Sequence, residues 1–107
     1  MKPVKFLATS RHDLLAFPQR VRSAVGQALY LVQEGGQPED FKPMAVVGAG
    51  AYEIRVRDQD GAFRVIYVAK FKAAIYVLHA FQKKTQQTAQ SDLTLAAKRY
   101  RSIEELL

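Results

Sequence analysis

The segment Tyr52-Glu53-Ile54-Arg55-Val56-Arg57 alternates strictly between apolar and charged residues. Successive side chains of an extended strand point to opposite faces. The pattern therefore predicts a strand with Tyr52, Ile54 and Val56 on one face and Glu53, Arg55 and Arg57 on the other. Asp58-Gln59-Asp60-Gly61 reads as a tight turn, with glycine where a positive φ is wanted. Phe63 to Lys70 is β-branched and aromatic on both faces, which suits a central strand. Lys70–Ala74 makes a second turn, and Ile75 to Gln82 a third strand. This antiparallel meander is the constraint that the rest of the chain has to satisfy.

The upstream sequence supplies a layer to cover it. Val21, Val25, Ala28, Leu29 and Val32 fall at i, i+4, i+7, i+8 and i+11, a single apolar helical stripe. Ser10 is expected to cap a helical turn over Arg11–Phe17, and Pro18 to open the second helix. Gly35-Gly36 ends that helix, and Gln37–Pro43, with two prolines, reads as a loop. Val4 to Ala8 reads as a short strand. After the meander, Thr85–Gln90 is polar and uncharged and is expected to be a loop. Ser91 then caps a helix carrying Leu93, Ala96, Ala97 and Tyr100, and Ser102 with Glu105 fits a capping box for a last short turn. The order β-α-α-β-β-β-α describes one small α+β domain over residues 1–107, a helix pair packed on the meander with a C-terminal helix.

Composition narrows the function classes. With 107 residues, 49% of them hydrophobic, the chain has the apolar material for one core. It has no cysteine, which excludes disulfides, thiolate catalysis and cysteine-based metal sites. His12 and His79 are its two histidines, too few and too far apart for a histidine-rich metal centre, so no metal or other cofactor is expected. The longest charge-free stretch, Ser23–Gln33, is eleven residues long, against the roughly 20 that a spanning helix needs. The N-terminal apolar patch is too short for a signal-peptide core. A soluble cytoplasmic domain without a membrane partner is expected.

The charge is unevenly spread. Residues 1–60 hold eight Lys and Arg against seven Asp and Glu. Residues 61–103 hold Arg64, Lys70, Lys72, Lys83, Lys84, Lys98, Arg99 and Arg101 against Asp92 alone. Such an excess suits a polyanion, since each phosphate contact releases counterions. Solubilising surface charge accounts for the same count.

The stretch Tyr52–Thr85, YEIRVRDQDGAFRVIYVAKFKAAIYVLHAFQKKT, resembles the core of the phage-derived HigB-like branch of the RelE/ParE toxin superfamily. The matching pieces are YEIRV, the FRVIY strand and VLHAFQKKT, in that order. The upstream helix pair and the C-terminal LAAKRY helix agree with it. The resemblance implies a RelE/ParE-like fold and the toxin of a type II toxin–antitoxin system. It further implies a ribosome-dependent mRNA endoribonuclease that inhibits translation. The implied partners are the ribosome and mRNA, a helix-turn-helix antitoxin of the HigA type, and operator DNA bound through that antitoxin. ParE-type relatives on the same scaffold poison DNA gyrase, so a non-nuclease toxin stays open, as does an inactive module that binds antitoxin and DNA.

The resemblance also implies site residues. Arg64, sharing a strand face with Ile66 and Val68, matches the arginine that contacts the scissile phosphate. A fixed guanidinium can bind the charge gained in the transition state; taken alone, Arg64 reads equally as a solvated arginine beside Asp58 or Asp60. Lys83 matches the second basic position, with Lys84 one step away, and either could neutralise developing charge or move a proton. Arg55 and Arg57, with Lys70, are expected along the RNA path. Glu53 on their face reads chiefly as one of a row of solvated charges, with salt-bridge partner or general base as alternatives. His79, in parity with Ile75, Val77 and Phe81, reads as a partly buried core residue, although its imidazole suits proton transfer. The chain departs from relatives that place a tyrosine after the second basic residue, since Thr85–Gln90 contains none, and Gln87 stands where another lysine is expected. The charge-stabilising half of a nuclease is therefore legible, and its acid–base half is not.

Overall fold

A computed structural model describes residues 1–107. In chain order it comprises β1 (Val4–Phe6), α1 (Ser10–Leu15), α2 (Gln19–Gln33), β2 (Phe41–Pro43), β3 (Ala51–Asp58), β4 (Gly61–Val68), β5 (Ile75–Lys83) and α3 (Gln90–Leu106). The strands form one sheet in the order β1-β5-β4-β3-β2. The meander of β3, β4 and β5 is its centre, as the alternation predicts. Its register is set by the two-residue turn at Gln59–Asp60, where Asp60 N–H donates to Asp58 Oδ1 at 2.8 Å. Gly61 closes that turn at a φ of 126°, a conformation in which a Cβ would be strained. Asp58 then faces Gly61, Arg55 faces Arg64 and Glu53 faces Ile66.

The α2 stripe lands as expected. Val21, Val25, Ala28, Leu29 and Val32 are all buried, together with Leu14 and Phe17, against Ile54, Phe63, Val65, Tyr67, Ile75 and Val77 of the sheet. The opposite face packs on α3 through Ala96 and Ile103, which meet Ile66, Val68, Tyr76, Leu78 and Phe81. Met44 and Val47, in the turn after β2, complete this second layer. The central strand β4 is thus buried on both sides, as its composition requires.

Several local expectations are corrected. Phe41–Pro43, expected to lie in a loop, is an edge strand pairing with Tyr52–Ile54; three residues are too few to show a period, and Pro43 is tolerated at an edge. The first strand ends at Phe6 and pairs parallel to β5, so the sheet has a parallel edge on its antiparallel meander. Ala8 leaves that strand at a φ of 51°. Ser10 does not cap a helix; it is buried and donates to the Val77 carbonyl at 3.2 Å. Pro18 sits at the N-cap of α2 rather than inside its first turn. Likewise α3 starts from Ala89, so Ser91 lies within it. The helix runs unbroken through Ser102, whose hydroxyl donates back to the Arg99 carbonyl at 2.6 Å instead of opening a new turn.

The largest correction concerns parity along β5. Ile66 faces His79 while Tyr67 faces Val77, so Leu78 is an extra residue. Such a bulge reverses the side-chain alternation. Ile75 and Val77 pack beneath α2, whereas His79 and Phe81 turn toward α3. His79 therefore does not share a face with Ile75 and Val77.

A candidate nucleic-acid interface on the α3 face

Because β3 and β4 are in register, the polar residues of the α3 face fall in rows across the sheet. One row runs Lys42, Glu53, Ile66, His79; the next Arg55, Arg64, Phe81; the last, nearest the hairpin, Arg57, Ala62, Lys83. Arg55 and Arg64 are direct cross-strand neighbours, an arrangement of like charges that is unfavourable by itself. Glu53 offsets it. Its Oε1 lies 3.4 Å from Arg64 Nε, and both side chains are 3% exposed. Glu53 is therefore a buried ion-pair partner, which corrects its reading as a solvated surface charge.

The pair is incompletely satisfied. Arg64 donates one Nη1–H to its neighbour's carbonyl, Phe63 O, at 3.1 Å, while Nε has no hydrogen-bond acceptor. Burial pushes the Arg64 pKa below its ordinary value; Glu53 opposes that shift, and Arg55 and Arg57 add to it. Arginine stays charged regardless. The other Glu53 oxygen accepts from Thr88 Oγ1 at 3.0 Å, which ties the loop after β5 down over the pair. Arg64 accordingly lies under the surface rather than beside Asp58 or Asp60 in solvent.

Above this pair are two adjoining hollows. The first, about 440 Å³, lies between the turn after β2 and the loop after β5. Lys42, Arg55 and Lys83 supply its cations and Glu53 its one carboxylate, and Met44, Val46, Leu93, Gln86, Gln87 and Thr88 also line it. The second, about 420 Å³, is lined by Arg57, Ala62, Lys83, Lys84, Thr85 and Gln86 and contains no acid. Lys83 and Gln86 line both. Partial desolvation lowers the Lys83 pKa, and Arg64, Arg55 and Lys42 push it the same way against the pull of Glu53. A cationic surface with so few acids is a standing attraction for a polyanion.

The structure thus brings together Arg55, Arg57, Lys83 and Lys84, with Arg64 beneath them. It does not bring in two other residues. Lys70 sits at the far end of β4, its ammonium 5.2 Å from the Phe71 ring centre and 5.7 Å from that of Tyr100. His79 lines a separate hollow with Phe17, Phe63 and Phe81. Its Nε2 lies 2.7 Å from Asp92 Oδ1, joining β5 to the first turn of α3, and its ring stacks on Phe81 at 4.8 Å. Nowhere in the chain do three or more His, Asp or Glu side chains converge as metal ligands would. Residues that the sequence did not single out are Lys42, Val46 and Thr88. Lys42 was hidden in an edge strand without periodicity, and Thr88 becomes relevant only through a contact to Glu53.

This architecture is RelE-like. It superposes on a chain of the RelBE2 toxin–antitoxin complex from Mycobacterium tuberculosis with a TM-score of 0.53 and 25% identity, covering 77% of this chain and 98% of that one. The sequence profile of the phage-derived protein Gp49-like family (DUF891) matches residues 12–101, and the chain belongs to that family. No curated protein sequence matches the chain significantly. The matched span holds every residue lining the two hollows. No helix is long and apolar enough to cross a membrane.

Proposed function

We propose that this protein is the toxin of a type II toxin–antitoxin system and acts as a HigB-like, ribosome-dependent endoribonuclease. The observation that carries this reading is the pair of basic hollows meeting at Lys83, on a RelE-like fold, above a buried arginine–glutamate pair. The reaction assigned to it is attack of a ribose 2′-hydroxyl on the adjoining phosphorus, with departure of the 5′-oxygen. It leaves a 2′,3′-cyclic phosphate and a 5′-hydroxyl. Lys83 and Arg55 neutralise the phosphorane oxygens, and Arg64 reinforces that field from below. Glu53, the one carboxylate lining the cleft, takes the proton from the attacking hydroxyl, and Lys83 returns one to the leaving oxygen. The lowered Lys83 pKa favours that release. Arg57 and Lys84 hold the flanking backbone. The ribosome orients the mRNA, which brings the 2′-hydroxyl into line with its phosphate.

Its neutralising partner in this reading is a HigA-like helix-turn-helix antitoxin that carries the complex to operator DNA, all within the cytoplasm. The test is labelled mRNA incubated with purified protein, with and without translating ribosomes. Cleavage that requires ribosomes and is lost in Lys83→Ala supports the reading. Intact mRNA alongside uninterrupted translation overturns it, and gyrase inhibition by the same preparation would establish the ParE-type activity instead.

A further inference from the structure

The chemistry of the two hollows differs, and the difference has a consequence for what each can bind. The second hollow offers Arg57, Lys83 and Lys84 with no apolar wall beyond Ala62, a setting for backbone phosphate. The first is lined by apolar side chains, Met44, Val46 and Leu93, as well as by the residues Gln86 and Gln87. Of these, Val46 is 68% exposed, an unusual place for a large aliphatic residue at the rim of a cationic cleft. It is not there by looseness of the turn. Met44 and Val47 are buried on either side of it, Val47 N–H donates to the Met44 carbonyl at 2.9 Å, and Met44 N–H donates to Ala51 O at 2.9 Å.

The loop Thr85–Ala89, which contributes to the same hollow, is uncharged, although it interrupts the most basic half of the chain. Two hydroxyls hold it in place: Thr85 donates to the Gln87 carbonyl and Thr88 to Glu53. The glutamines that flank it spend their amides on the protein, Gln82 on the Asp60 carbonyl and Gln90 on Thr94. The amides of Gln86 and Gln87 bond to nothing in the chain, and both residues line the hollow. A primary amide carries donors and an acceptor in one plane, the complement of a base edge, whereas a lysine in its place would attract any phosphate without discrimination.

We infer that the first hollow is a base-reading subsite for single-stranded RNA. One unstacked base lies against Val46 while the amides of Gln86 and Gln87 bond its edge, and the adjoining phosphate occupies the Arg57–Lys83–Lys84 hollow. Splayed-out bases with their edges free are the usual targets of sequence-selective RNA recognition. This assignment rests on the RNA-binding reading above and adds which residues make it selective.

The experiment measures fluorescence anisotropy of short single-stranded RNA oligomers that differ at one central base, titrated with the wild-type protein and with Gln86→Ala, Gln87→Ala, Val46→Ser and Lys84→Ala. All four positions are exposed, so the fold tolerates the changes. The wild type is expected to prefer one base, and the glutamine variants to reduce that preference roughly tenfold, the scale of a direct base contact. Val46→Ser is expected to weaken the preferred oligomer most. Lys84→Ala is expected to weaken all oligomers alike and to lower the salt dependence by about 0.7 in log–log slope, the value for one single-strand phosphate contact. RNA binding without base preference, or a preference that survives loss of both glutamines, overturns the subsite while leaving the RNA-binding reading intact. No RNA binding by the wild type overturns the subsite as well, and cleavage on translating ribosomes then decides the nuclease reading separately.

Discussion

The two faces of the sheet are built on different terms. Beneath α2 the clustered side chains are aliphatic and aromatic, and among them is the buried Tyr67 hydroxyl, whose pKa burial pushes up to about 12. Beneath α3 the same strands bury Glu53, Arg64 and His79. A neutral phenol costs little to bury. A buried ion pair stabilises a fold only if its geometry repays the loss of hydration, and Arg64 Nε here lacks a hydrogen-bond acceptor. Both faces bury an apolar cluster that holds the fold together. The second also keeps charge where an apolar residue would serve stability as well, as the proposed function would require.

The sharpest way to break this contrast is to remove one member of the pair. Glu53→Ala leaves Arg64 as an uncompensated buried cation and is expected to cost about 3–5 kcal/mol, read as a loss in a urea melt. The double variant Glu53→Leu with Arg64→Met is expected to recover most of that stability while remaining inactive. Recovery of activity together with stability would contradict the division between the faces.

A smaller effect is expected where α3 docks on the turn after β2. Tyr100 donates to the Ala49 carbonyl at 2.6 Å, and its ring covers Gly48 so closely that a Cβ there would come within 2.6 Å of ring carbons. Gly48→Ala is expected to cost about 1–3 kcal/mol through overpacking, again by urea melt. Because that turn carries Val46, the same variant is expected to blur base preference in RNA-binding titrations.

Tyr67 gives a test of the apolar face by pH. Its folded pKa is raised from 10.0 to about 12, so between these values the unfolded chain has released a proton that the native one retains. Stability contributed by the neutral phenol is full below pH 10 and falls as pH rises toward 12. Thermal melts across this window are expected to fall less steeply for Tyr67→Phe than for the wild type. The smallest effect is expected at Lys83, where a charge is held against three cationic neighbours. Lys83→Met is expected to raise stability slightly, by less than about 0.5 kcal/mol, while weakening RNA binding. A loss of stability would show that Lys83 supports the fold.

Much of this was legible because it is one-sided. The α2 stripe and the β3 alternation each present a single apolar face, and both land where the period puts them. Even the neighbours of Arg64 were within reach. A two-residue turn at Gln59–Asp60 sets Arg55 opposite Arg64 and places Glu53 diagonally beside it, so the buried pair follows from the register once the turn is recognised. The position of His79 was not legible, since a period of two assumes unbroken pairing and the bulge at Leu78 breaks it. Nor was β2, whose three residues are too few to show a period, and with it went Lys42 and the turn that carries Val46. The role of Thr88 depends on a loop closing over a distant strand, for which no local pattern exists.

The proposed cutting of RNA by the polar face is tested by mapping mRNA 5′ ends in a reconstituted translation reaction. The wild type and the Glu53→Leu, Arg64→Met variant, each shown to be folded, are compared. New ribosome-dependent 5′-hydroxyl ends are expected with the wild type and none with the variant. Identical ends from both proteins, or no ends from the wild type while translation proceeds normally, would contradict it.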